Sequence, residues 1–131
     1  MYEDVFIAEV RDRTGITDPE RARRALRGVL HAVATRLPDG WVHQLAAELP
    51  PTLAEPLWSH QYLYDQEVHL DFLEDVAARS AVPKAEAERL ARAVFAVVAS
   101  ACDPALLRRV YQPLTSDILA LTESGSSLLP V

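Results

Sequence analysis

The chain of 131 residues has one cysteine, Cys102, so no disulfide can form within it. That suits a reducing cytosol. No window of eighteen or more apolar residues occurs, so no segment is expected to span a membrane. The opening "MYEDVFIAEVRDR" carries acids where a secretion signal would carry bases, and it holds no apolar run of the required length. A cytoplasmic location is therefore expected. Strand signals are missing as well. There is no sustained apolar/polar alternation and no Asn-Gly or Asp-Gly turn between β-branched runs, since Asp39-Gly40 sits between helical patterns. Basic residues are outnumbered, 13 against 19 acids, for a net charge of −6. An acidic chain gains little from neutralising phosphates, which makes nucleic acid a poor default partner. The short motifs of known catalysis are absent too: no G-x-S-x-G, no P-loop and no H-E-x-x-H.

What is present is helical period. Ala22, Leu26, Val29, Val33 and Leu37 recur at steps of three and four, with Ala25 and Leu30 widening the stripe. Thr17 or Asp18 can cap this helix, Pro19 is tolerated in its first turn, and Glu20 can complete a capping box. Eight helices are predicted, over 3–14, 18–36, 39–48, 51–58, 69–80, 83–101, 104–112 and 116–123, with most prolines near the boundaries. Pro56 is expected to stop the fourth. A length of this order fits one domain.

The chain also repeats itself. With an offset of 65, Ala22 meets Ala87, Arg24 meets Arg89, Arg27 meets Arg92, Val29 meets Val94 and Val33 meets Val98. Upstream the offset becomes 66, pairing Phe6 with Phe72, Val10 with Val76 and Arg13 with Arg79. The expected fold is all-α: two tandem copies of a four-helix unit, residues 2–58 and 69–124, packed into one bundle over residues 1–124. An aromatic-rich connector, 59–68, joins them, and 125–131 is expected to be a flexible tail. "AVFAVVASAC" is apolar nearly all round, which places residues 90–102 at the centre with the first copy packed around them.

The pattern Phe6-x3-Val10-x2-Arg13-x-Gly15, then "ERARRALRGVLHAVATRLPDG" and "LAAELP", then the same order again, resembles the bacterial domain of unknown function 2267. The likeness covers residues 2–124. It implies a small helical bacterial protein built from a duplicated bundle, and it brings no functional residues. A weaker likeness ties "FIAEVRDRTGITDPERARRALRGVLHAV" to the opening helix pair of histone-like nucleoid proteins. The β-arms with which those proteins enter the minor groove have no counterpart here, so that function is not carried over.

Two regions are candidate sites. Arg23, Arg24 and Arg27 with His31 form a ridge on the second helix. It is either a phosphate or acidic-partner contact, or a solvated face paired with Glu9, Asp12 or Glu20. The connector region, "LWSHQYLYDQEVHLDF", holds Trp58, Tyr62, Tyr64 and Phe72 among histidines and acids. These aromatics are expected to seal the seam between the repeats, or else to form a surface for an identical chain or another protein. His60, Asp65 and His69 are weak metal candidates, because no tight helical pairing of ligands accompanies them. Cys102 reads as a small buried residue, and Glu74-Asp75 as adjacent carboxylates that cannot face one substrate. The functional expectation is a non-catalytic helical protein that acts by protein contact, as a homodimer or with another protein, without a cofactor. Nucleic-acid binding through the ridge, and an enzyme or a metal or small-ligand binder built on the connector, are the alternatives.

Overall fold

The computed structural model describes residues 3–59 and 71–122, without the side chains of Asp39, Pro56, Trp58 and Ser59. The connector candidates Tyr62, Tyr64, His60, Asp65 and His69, the Trp58 side chain and the tail 125–131 lie outside the described residues. Eight helices and no strand occur among the described residues: α1 (Glu3–Thr14), α2 (Pro19–Ala34), α3 (Asp39–Ala47), α4 (Pro51–Ser59), α5 (Phe72–Ser80), α6 (Lys84–Ala101), α7 (Pro104–Val110) and α8 (Ser116–Thr122).

Local chemistry sets the boundaries. Asp18 caps α2 by accepting the Glu20 N–H at 3.0 Å, ahead of Pro19. Asp71 and Asp103 cap α5 and α7 in the same way, through the N–H groups of Glu74 and Ala105. α1 ends at Gly15, whose φ of +79° turns the chain left-handed while its N–H bonds the Arg11 carbonyl at 2.8 Å. α5 ends at Ala81 in the same left-handed region, φ 57°. An alanine there carries a steric cost that a glycine would not.

α4 passes through Pro56 and ends at Ser59, one residue beyond the expected 58. Proline lacks the N–H that would bond the carbonyl four residues back, and that residue is Thr52. Arg27 on α2 supplies the missing donor: its Nη1 bonds the Thr52 oxygen at 3.1 Å.

The core is shared by both halves of the chain. α2 packs against α1, α4, α5 and α6, and most extensively against α5. α6 packs against α1, α5, α8 and α2, and α3 packs on α4 and α7. The expectation of one central helix with the other around it is therefore corrected. α2 buries Leu26, Val29 and Val33 as completely as α6 buries Val94, Val97 and Val98. The charged residues of α2 are confined to one stripe, and the opposite side is enclosed by four other helices. Phe72, Phe95 and Tyr111 join the two ends of the second half: the phenyl rings stack at 6.1 Å, and Tyr111 meets Phe95 edge-on at 5.7 Å.

Candidate functional site

The arginine ridge is engaged within the chain. Arg23 Nε lies 2.8 Å from Glu3 Oε1, and its Nη1 lies 3.8 Å from Glu20 Oε1. Arg27 places Nη2 3.6 Å from Glu55 Oε1 while holding the Thr52 carbonyl. Of the acids expected to pair with the ridge, Glu20 takes part. Glu9 and Asp12 are replaced by Glu3, because α1 brings its first turn rather than its middle to Arg23. Glu3 also accepts the Thr52 hydroxyl, so one carboxylate links α1, α2 and α4. Arg24 points to solvent and His31 is half-buried, so the four residues do not act as one exposed row.

Sequence reasoning did not single out the most buried charge among the described residues. Asp75 on α5 is 3% exposed. Its Oδ2 accepts from Arg36 Nη1 at 2.8 Å, and its Oδ1 accepts from Arg79 Nε at 2.7 Å. Arg36 lies in the turn after α2. The same Nη1 also reaches the Ala32 carbonyl at 2.9 Å, and the guanidinium stands 5.3 Å from the centre of the Phe72 ring. The group joins the end of α2 to α5. Both carboxylate oxygens are taken by guanidinium donors, so its chemistry is that of a staple rather than a general acid. The i,i+4 spacing of Asp75 and Arg79 was a legible signal. Arg36, from the other half of the chain, gave none.

Other reactive groups are held quiet. Burial pushes the Cys102 thiol up to about 11, and the Glu48 carboxylate adds to the effect. Burial raises the Tyr111 phenol above its ordinary range, with Cys102 as the second cause. On the surface, Lys84 bonds Glu74 at 3.1 Å and Asp71 at 3.4 Å, which raises its own pKa. The Asp71 carboxyl is lowered chiefly by the Glu74 N–H it accepts as a helix cap. Among the described residues, no group of three or more histidines, cysteines or acids could hold a metal ion, and no helix is long and apolar enough to cross a membrane.

The family described as "Uncharacterized conserved protein (DUF2267)" matches residues 3–121, from the first residue of α1 to the last turn of α8. The chain belongs to this family. No curated protein matches it. The family's description names no reaction, so the roles of Arg23, Arg27, Arg36 and Asp75 in this family member rest on the geometry above.

Proposed function

We propose that this DUF2267 protein is a non-catalytic bacterial module of the cytosol that acts through protein contact, as a homodimer or with another protein. The contact surface assigned to it is the aromatic connector, with Trp58, Tyr62 and Tyr64. The observation that carries the reading is the aromatic inventory of the core. Phe6, Phe72, Phe95 and Tyr111 are buried among the described helices, and Phe72, Phe95 and Tyr111 already join α5, α6 and the turn after α7. Trp41 of α3 packs against that core as well, and Trp58, Tyr62 and Tyr64 are of the types that anchor interfaces. The nucleic-acid alternative draws no support from Arg23 and Arg27, whose charge is compensated by Glu3, Glu20 and Glu55.

The finer architectural reading belongs with this proposal: the chain is two copies of a four-helix unit. Its support is the way helices pair. Exchanging α1 with α5, α2 with α6 and α4 with α8 turns the α1–α6 contact into α5–α2, and α2–α4 into α6–α8. The two left-handed residues among the described residues, Gly15 and Ala81, stand at the same offset of 66.

The double substitution Trp58→Ala with Tyr62→Ala tests the contact surface. Loss of dimer mass in sedimentation, or of a co-purifying protein, with a nearly unchanged melting temperature is expected. A melt lowered by the equivalent of several kcal/mol, as truncation of buried aromatics at about 3–5 kcal/mol each would give, with unchanged mass, assigns the connector to the seam and refutes the contact reading.

A further inference from the structure

The α1–α2 turn and the start of α6 line an open, cleft-like cavity of about 250 Å³. Its apolar surface comes from Ile16, Val82 and Leu90, and its charges are Arg21, Arg89 and Glu86. We propose that this cavity binds a small organic monocarboxylate whose short apolar body rests on Ile16, Val82 and Leu90. The proposal is independent of the contact surface assigned above.

Three observations carry it. The first is the state of the cations. Arg89 Nη2 donates to the Thr14 carbonyl at 2.6 Å, which fixes the guanidinium at the wall and leaves its other N–H groups unassigned. Arg21 has no ion pair among the described residues, unlike Arg23 and Arg27 on the same helix. A guanidinium held in place is the preferred partner of a planar carboxylate, because two parallel N–H donors match its two oxygens.

The second observation is the balance of charge. Two guanidiniums face one carboxylate, Glu86, which leaves a single positive charge at the cavity. A monoanion completes that balance. A dianionic phosphate would face repulsion from Glu86. The volume lies below the range for drug-sized ligands, and with three aliphatic side chains it suits a body of about four to six carbons.

The third observation is the looser packing at this crossing. Where α2 meets α5, the helices close at Gly28: a Cβ there would stand 2.4 Å from Ser80 Oγ and 3.1 Å from the Ser80 backbone nitrogen. The offset of 65 places Ala93 of α6 at the counterpart position, so α6 has a methyl group where α2 has none. The α1–α6 packing is less extensive than the α2–α5 packing. At the cavity wall Gly15 adopts a positive φ, and Arg89 Nη2 lies 3.6 Å from the position a Cβ would take there. A side chain at residue 15 would be strained and would stand against the arginine.

The test is an amide chemical-shift titration of the full chain with isocaproate at constant ionic strength, alongside isocaproamide and inorganic phosphate. Saturable shifts over the millimolar range are expected, centred on Thr14–Thr17, Val82 and Leu90. Affinity for so small a ligand is on the order of millimolar, given its few heavy atoms. Arg21→Gln should weaken binding about tenfold by removing a charged hydrogen-bond donor. Arg24→Gln, on the same helix but outside the cavity, should leave it unchanged. Both variants should keep the parent circular dichroism, since neither side chain is buried. The proposal is overturned by the absence of saturable shifts, by equal affinity for isocaproamide or phosphate, or by equal weakening from Arg24→Gln.

Discussion

Asp75 holds two arginines drawn from opposite halves of the chain. Asp75→Asn would keep the shape and remove the charge that the Arg36 and Arg79 guanidiniums share in the fold. Breaking a buried pair in this way costs roughly 3 kcal/mol or more, and the one-fifth exposure of the arginines puts the expected loss at the low end of that range. Urea denaturation of the two proteins checks it, and a loss below about 0.5 kcal/mol, the size of a surface pair, would mean that the staple contributes nothing. Cys102 supports a second residue-scale prediction. Its thiol pKa rises from the ordinary 9.0 to about 11 on folding, so the folded protein retains the proton longer than the unfolded chain. The corresponding stability is complete below pH 9 and is lost as pH rises towards about 11. Alkylation by iodoacetamide should be slow in the native protein at pH 8 and fast in urea. Equal rates in both would show that the thiol is accessible in the fold.

At the scale of the element, α4 depends on α2. The Thr52 carbonyl that Pro56 cannot serve is bonded by Arg27, and Glu55 one turn along is the same arginine's ion-pair partner. Arg27→Ala should therefore cost about 1 kcal/mol, the net worth of a hydrogen bond from a charged donor together with the Glu55 ion pair. In a Pro56→Ala background the backbone N–H returns and the same substitution should cost less. A double-mutant cycle read by thermal melts measures the difference. Additive effects would mean that Arg27 and Pro56 act separately. The helices themselves were legible beforehand. Seven of the eight start within two residues of the predicted position, because proline and aspartate caps act locally. α5 is the exception, beginning at Phe72 rather than 69, since Asp71 is the residue whose carboxylate caps it. The expected span of α4, 51–58, is met within one residue, while the donor for the Thr52 carbonyl comes from another helix, where local rules have no reach.

For the whole molecule, the crossed packing of α1 on α6 and α2 on α5 joins the two halves in one shared core. Val29→Asp and Val94→Asp each place a carboxylate at a position with 0% exposure, in α2 and α6 respectively. Each should unfold the entire chain, because the cost of an unpaired buried charge is comparable to the total stability of a domain, about 5–15 kcal/mol. Loss of all dispersed amide signals in both variants is expected. Survival of the α5–α8 signals in the Val29 variant would show two separable units.

By itself the sequence determined the helical class, the order and approximate bounds of eight helices, the burial of Cys102 and the family likeness, because all of these follow from period, caps and composition along the chain. It did not determine which helix lies at the centre. An apolar stripe states that a face will be covered and not by what, so the equal burial of α2 and α6 emerged only when four neighbours enclosed each. Only the tertiary structure decided that Glu3 rather than Glu9 meets Arg23, that Arg36 crosses 39 residues to reach Asp75, and that Arg21 and Arg89 share a cavity. Those are distances between side chains on different helices, and they are set by crossing geometry and by small residues such as Gly28, about which periodicity carries no information.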